Sequence, residues 1–548
     1  MTSGRRMNRA QSRIRRFGRQ RRGAVNWTMV AMLGSLALLG GLVAMLIWPP
    51  SRPPRVADAS NAAGSAGGAA SGSANGDGQA SSEPLVVYVA ASNKSVFEAI
   101  RQDYERDCGQ RVDVQFGPSQ TLLASAEVTG TGDLYLPADD TFLDAARKRG
   151  LLATQLPLAA MRAVVAVPRG NPRKIATWND LLQPDVRIAL GSVEATAIGK
   201  LAKASLSERG LWDALHARTT VYKTTVNEVA NDVKAGAVDA GVVFDAVLHD
   251  YRTLEGIQIP ELAPIEAHVA VGVLKGSKQG ARARHFARYL AARDKGLTRY
   301  REFGFQPAAG DAWAETPELT LYSGSMLRPA IERTIEEFEQ REGARVTRVY
   351  NGCGILVAQM KAGQVPDAYF ACDKEFMTQV KTLFPESQAV SRNELVILVR
   401  KGNPHGIRSL KDLAKDGLRI GIGHEKQCAM GWLTQRTFAE GGVREEVMKN
   451  VAVQTPTGDM LVNQMRSGSL DAAVAYLSNA AGAGDTLDAI RIQGLACAVA
   501  EQPFGIAKDS PYPRLAERLL DAIRSAESQG RFEKEGFRWV DPTEGAAP

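Results

Sequence analysis

Apolar residues in this chain fall into short runs, separated by small hydroxyl residues, and the period changes from run to run. Residues 85–91 form a continuous apolar run of strand length. Ser92, Asn93 and Ser95 follow with helix-cap chemistry, and the spacing of Val96, Phe97, Ile100 and Tyr104 then predicts a helix over 96–105. A second strand over 111–116 ends in Gly117-Pro118-Ser119, a helix begins near Thr121, and a third strand covers 133–136. Strands at 187–190 and 242–244 complete the series. Strand, hydroxyl-bearing turn, helix, repeated, predicts an α/β unit with a parallel sheet. In such sheets ligands sit beyond the carboxyl ends of the strands, at the helix starts.

The whole pattern occurs twice. Leu85-Val86-Val87-Tyr88 matches Leu319-Thr320-Leu321-Tyr322, and Gly132-Asp133-Leu134-Tyr135 matches Pro366-Asp367-Ala368-Tyr369, both at an offset of 234. Arg169-Gly170-Asn171-Pro172 matches Lys401-Gly402-Asn403-Pro404, and Phe244 matches Tyr476, at an offset of 232. Register held over that length is a tandem duplication of a domain, since solenoid periods are only about 20–50 residues. At about 220 residues, each copy approaches the usual limit of one core and reads as roughly a two-lobed unit. The expected domains are 85–307 and 318–548, joined by a short connector at 307–317 that brings them into contact.

Charge changes the picture at one end only. The formal net charge is +7, but the first 22 residues hold nine arginines and no acid, so the repeats carry no general case for nucleic-acid binding. Residues 24–48 contain no charge, and at 1.5 Å per residue they reach about 37 Å, enough to cross a hydrocarbon core. Trp27 and Trp48 flank the stretch, and the arginine excess before it predicts a cytoplasmic N-terminus. The run is longer than a signal-peptide core, so an uncleaved single-pass anchor in the cytoplasmic (inner) membrane is expected. Residues 1–23 then form a basic cytoplasmic tail. Residues 49–84, rich in Pro, then Ala, Gly, Ser and Asn, read as a disordered tether holding the repeats on the outer, periplasmic face.

Several helix N-termini aimed at one point make an anion site without lysine or arginine, because each presents unpaired N–H groups. Ser92, Ser119, Ser323 and Ser325 would add hydroxyl donors; taken singly, each reads equally as a helix cap.

On these residues each repeat resembles the periplasmic molybdate-binding proteins of ABC transporters, within the type II periplasmic binding proteins. Val87-Tyr88-Val89-Ala90-Ala91-Ser92 is similar to that family's first strand, and Phe116-Gly117-Pro118-Ser119-Gln120-Thr121-Leu122 to its second serine loop. Gly132-Asp133-Leu134-Tyr135-Leu136-Pro137-Ala138-Asp139 resembles a further phrase of it, and Glu228 to Phe244 its last ligand-bearing segment. The resemblance implies ligand contacts from Ser92, Ser119, Ile198, Val226 and Phe244. Phe244 stands where the family has a tyrosine, which removes a donor. In the second repeat the implied positions are Ser323 or Ser325, Cys353, Met430, Gly458 and Tyr476. There the tyrosine is kept and the second serine loop has become Asn351-Gly352-Cys353-Gly354, so the two clefts have diverged.

Cys353, Cys372 and Cys428 fall at strand ends or helix starts of repeat two, on the cleft side. A disulfide such as Cys353–Cys372, free thiols lining a pocket, or a soft-metal site with His424 or Met430 are all open readings. Cys108, alone in repeat one, reads as unpaired, and the pairing of Cys497 with the other three stays open. No nucleophile elbow, phosphate loop or His-Glu-x-x-His is present, and Asp139, Asp140 and Asp373 read as hinge or cap residues. The expectation is a non-enzymatic, cofactor-free, membrane-anchored solute-binding protein that captures a molybdate- or tungstate-type oxyanion in interlobe clefts for an ABC permease. An anchored ligand sensor or scaffold, and a metal or thiol-reactive solute binder, are the alternatives.

Overall fold

The computed structural model describes residues 83–541. The expected basic tail, the anchor at 24–48, and the tether up to residue 82 lie outside the described residues. Among the described residues no helix is long and apolar enough to cross a membrane.

Repeat one contributes β1 (Leu85–Ala90), β2 (Val112–Gly117), β3 (Leu134–Leu136), β4 (Leu152–Pro168), β5 (Ile188–Gly191), β6 (Thr219–Lys223), β7 (Ala240–Phe244), β8 (Leu254–Ile257), β9 (Glu266–Leu274) and β10 (Gln306–Pro307). Their order is β2-β1-β3-β9-β4-β7-β5-β6, with β8 and β10 also on β4. Repeat two contributes β11 (Glu318–Gly324), β12 (Arg345–Asn351), β13 (Ala368–Phe370), β14 (Ser387–Arg400), β15 (Ile420–Gly423), β16 (Val451–Thr455), β17 (Ala472–Tyr476), β18 (Leu487–Arg491), β19 (Val499–Ile506) and β20 (Arg538–Trp539). Its order, β12-β11-β13-β19-β14-β17-β15-β16, repeats the first strand for strand.

The sheet is mixed, which corrects the parallel sheet expected from sequence. β1 pairs parallel with β2 and β3, and β5 with β6 and β7, but β9 and β4 run antiparallel to their neighbours. The reason is connectivity. Residues 152–162 of β4 pair with β9 in one lobe, and residues 163–168 pair with β7 and β8 in the other. β14 makes the same transfer, pairing with β19 over 387–394 and with β17 and β18 beyond. Each domain is thus two lobes sharing one strand.

Helix faces follow the sequence pattern. Helix Lys94–Cys108 buries Val96, Phe97, Ile100 and Tyr104, and helix Arg328–Glu342 buries Ile331, Ile335 and Phe338 among others. The phrases that reveal the duplication are largely structural. Asp133 Oδ2 accepts the Val86 N–H at 2.8 Å, and Asp367 Oδ2 accepts that of Thr320 at 2.8 Å. Asn171 and Asn403 adopt positive φ, 43° and 48°, and each amide ties its own turn to the backbone four residues on.

The connector is fixed to both repeats. Ala308 N–H donates to Leu158 O, and the Asp311 carboxylate accepts from the N–H groups of Arg514 and Leu515 at 2.7 and 3.1 Å. Those residues open helix Pro513–Ile523, so the connector caps a helix of repeat two. Beside this joint, within repeat two, Arg518 pairs with the buried Glu342 at 3.0 Å, and Arg288 of repeat one donates to the Glu342 carbonyl.

A second repeated device pins the sheets of the later lobes. Asp471 Oδ2 accepts from Arg419 N–H at 2.9 Å and Nε at 3.1 Å, and Oδ1 accepts from its Nη2 at 2.9 Å; Asp239 does the same for Arg187. The Arg419 hydrogen bonds hold the Asp471 carboxyl down at about 2. Such a group stabilises the fold fully above the ordinary carboxylate range near 4, and the contribution fades as pH falls through the folded value. Asp471→Asn is expected to cost about 1–2 kcal/mol at neutral pH, the half-exposed guanidinium being screened. In urea unfolding of domain 2, the gap between wild type and variant should narrow on acidification.

Candidate functional site: two interlobe clefts

Each domain has a cavity where strand ends and helix starts of its two lobes meet. In each domain its volume is about 20 Å³. Both are far below the range of about 300–1,000 Å³ usual for drug-sized ligands, so only a very small solute fits. No charged side chain is among the residues lining either cavity.

Three helices of domain 1 start at this cavity: Ser119–Thr129 from one lobe, and Ala197–Ser207 and Val226–Lys234 from the other. The first N–H groups of each have no acceptor within their own helix, so partial positive charge gathers at the cleft from both sides. Local chemistry sets their aim. Thr196 caps its helix, accepting from Gly199 N–H at 3.0 Å and donating to Ser192 O at 2.8 Å. Thr225 and Glu228 form a capping box. A side chain at position 199 would put its Cβ 2.3 Å from Gly191 O, so glycine lets that helix start sit against the end of β5. Gly431 plays the same part against Gly423 O, at 2.4 Å.

Ser92, Ser119, Ile198, Val226 and Phe244 all line the cavity of domain 1. Ser119 is the first helical residue, not the cap, a position held by Pro118. Its Oγ accepts from Ala138 N–H at 3.1 Å, which leaves the hydroxyl proton for another acceptor. Thr196, Thr225 and Ala195 line the same cavity and escape the sequence reading, although the Thr225-x-x-Glu228 capping box is readable there.

In domain 2 the cavity is lined by Ser325, Cys353, Met430, Gly458 and Tyr476, but not by Ser323. Ser323 belongs to β11, is fully buried, and points its hydroxyl at Gly324 O 3.5 Å away. Strand alternation turns it into the sheet, and the cleft position belongs to the residue after the strand. Cys353 replaces Ser119 in kind: its Sγ accepts from Cys372 N–H at 3.1 Å. Cys372 and Cys428 also line the cavity, and all five cysteines are free thiols. Burial pushes the Cys353 thiol up, but hydrogen bonds from the Cys372 thiol and N–H more than offset this, while Cys372 is raised well above its usual value. Burial also pushes Cys428 up to about 12. The soft-metal grouping, one of the three open readings, does not close. Among the described residues no three ligand atoms from Cys353, Cys372, Cys428 and His424 come within 4.8 Å of one another, and His424 Nδ1 accepts from Lys426 N–H at 3.3 Å.

The domains differ at two further matched positions. Val226 and Val247 become Gly458 and Asn479. A Cβ at 458 would stand 2.3 Å from Asn479 Oδ1, so the amide occupies the space of the lost side chain. Its Nδ2 donates to Asp459 Oδ1 at 3.3 Å, which leaves the buried Oδ1 unpaired beside the cavity. The Tyr476 hydroxyl is likewise buried without a hydrogen-bond partner. Asp373 and Asp139 act as caps, accepting the N–H groups of Glu375 and Thr141. Domain 2 is drawn shut by a backbone bond between lobes, Gly354 N–H to Gln427 O at 3.1 Å.

The sequence model of the bacterial extracellular solute-binding proteins matches residues 85–306 and again 319–538. The chain therefore belongs to that family, and carries its domain twice. A protein of Haemophilus influenzae named as a binding protein is 28% identical over 227 residues, 41% of this chain and 91% of the relative. The molybdate-binding protein ModA of Mycobacterium tuberculosis is 28% identical over 213 residues, 38% of this chain and 79% of its own. Among solved structures, the periplasmic molybdate-binding protein of Azotobacter vinelandii aligns with all of its chain and 41% of this one, at 18% identity and a TM-score of 0.36.

Two outcomes are expected at the second cleft. An unpaired buried hydroxyl costs about 1–3 kcal/mol, so Tyr476→Phe should raise the stability of ligand-free domain 2 by about 1 kcal/mol in denaturant unfolding. Gly354→Ala would place a Cβ 1.9 Å from Lys426 O across the lobes. It should therefore open domain 2, seen as a larger radius in small-angle scattering with unchanged circular dichroism.

Proposed function

We propose that this protein is a membrane-anchored extracytoplasmic solute-binding protein that captures a tetrahedral oxyanion of the molybdate or tungstate type for an ABC permease. The observation that carries this reading is the cleft of domain 1, where three helix N-termini from two lobes meet a cavity with no charged side chain. Neutral donors suit a dianion held reversibly: N–H groups at Ser119, Ile198 and Val226 and hydroxyls at Ser92 and Ser119 replace its water shell. Lobes joined through one strand can close on the ion by rotation at residues 162–163. The molybdate-binding relatives are consistent with this ligand class. The apolar stretch at 24–48 would supply the anchor.

A second reading applies to domain 2 alone. Cys353, Cys372 and Cys428 line its cleft, together with the unpaired Tyr476 hydroxyl and Asn479 Oδ1. That wall favours a thiophilic or hydroxyl-bearing solute over a fully ionised oxyanion.

Isothermal titration of the full chain with molybdate, tungstate, sulfate and phosphate tests the first reading. Binding of one molybdate or tungstate per chain is expected, with affinity falling at least about tenfold in Ser119→Ala, since a hydrogen bond to a charged group is worth about 1.5–3 kcal/mol. Absence of heat with all four anions would remove the oxyanion assignment.

A further inference from the structure

One cluster of metal-binding side chains lies away from both clefts. Cys108 ends helix Lys94–Cys108, His285 sits mid-way along helix Gly280–Leu290, and Glu315 belongs to the connector between domains. The Cys108 Sγ, a His285 ring nitrogen and a Glu315 carboxylate oxygen all lie within 4.8 Å of one another, the one such trio among the described residues. Glu315 Oε1 is 3.1 Å from His285 Nε2. Nitrogen and oxygen ligands of a tetrahedral zinc ion, at their usual bond lengths of about 2.0–2.1 Å, stand about 3.3 Å apart. The pair is already at ligand spacing.

The histidine is also held as a ligand would be. Its Nδ1 is 2.8 Å from the Tyr104 hydroxyl, and the Trp313 ring packs edge-on at 5.0 Å. That leaves Nε2, a buried atom, facing the Glu315 carboxylate. An outer partner on one ring nitrogen, fixing the other toward a cation, is the usual support of a metal-bound histidine. A carboxylate, a thiolate and a neutral imidazole together balance a divalent charge. Nearby cations have partners of their own: Lys295 pairs with Asp107 at 2.9 Å, and Arg288 donates to the carbonyls of Glu342 and Glu315.

We propose that Cys108, His285 and Glu315 form a binding site for a divalent cation of the zinc type, with a solvent molecule as fourth ligand on the exposed side of Glu315. As the sulfur–metal bond forms, the Cys108 thiol proton passes to solvent. Occupancy would tie the connector to the core of domain 1, close to the Asp311 cap on domain 2, and so stiffen the joint between the two binding units.

Cobalt(II) titration of the full chain under reducing conditions is the test. One equivalent should bind with a sulfur-to-cobalt charge-transfer band in the near ultraviolet, displaceable by zinc. Cys108→Ser should abolish that band. His285→Gln and Glu315→Gln should each weaken binding at least about tenfold, and Tyr104→Phe by about 10–100-fold as expected for an outer partner. Glu315 is exposed, so its variant cannot fail merely by unfolding. No binding at micromolar cobalt, full affinity in Glu315→Gln, or a band lost with Cys353→Ser or Cys428→Ser and kept in Cys108→Ser would each overturn the proposal.

Discussion

A strand that begins in one sheet and ends in another sets the terms for each domain. β4 lies against β9 over residues 152–162 and against β7 and β8 over residues 163–168, and β14 makes the same passage. A continuous backbone of that kind fixes the separation of the lobes and lets their mutual angle change by rotation about it. Everything at the cleft depends on it. The helix starts at Ser119 on one side and at Ala197 and Val226 on the other converge only because both lobes hang from the same extended segment.

Against that shared frame the two clefts have taken different chemistry. Domain 1 presents serine and threonine around a phenylalanine; domain 2 presents three thiols, two amides and a tyrosine around the same helix starts. The backbone role survives the exchange, as Ser119 and Cys353 each accept one N–H from the matched positions Ala138 and Cys372. What changes is the hardness of the wall and the balance of donors to acceptors. Duplication has conserved geometry and released specificity.

Much of this is legible in the chain itself. The duplication and the strand-to-helix turns can be read from apolar period and repeat register, because both are local properties of sequence. Cleft positions such as Ile198, Val226 and Gly458 come only from the family resemblance, and Thr196 and Thr225 escape it. The crossing strand cannot be read from the period. Residues 152–168 mix Thr154, Gln155, prolines and alanines without clean alternation, since the two halves bury different faces in different sheets. Ser323 is misplaced from sequence for a related reason: one residue along a strand reverses the side-chain direction, and sequence does not say where β11 ends. The gathering of Cys108, His285 and Glu315 is invisible there because their separation, across two helices and a connector, carries no periodic signal.

Gly458 and Asn479 behave as one inherited character. A larger residue at 458 collides with the amide, and a smaller one at 479 leaves a void where domain 1 has two buried valines, Val226 and Val247. Any mutational path between the two cleft types must therefore pass through a hole or a clash, and holes are the better tolerated of the two. The glycine has to arrive first and leave last, which makes the order of substitutions, and not only their sum, a constraint on how one binding unit can be turned into the other.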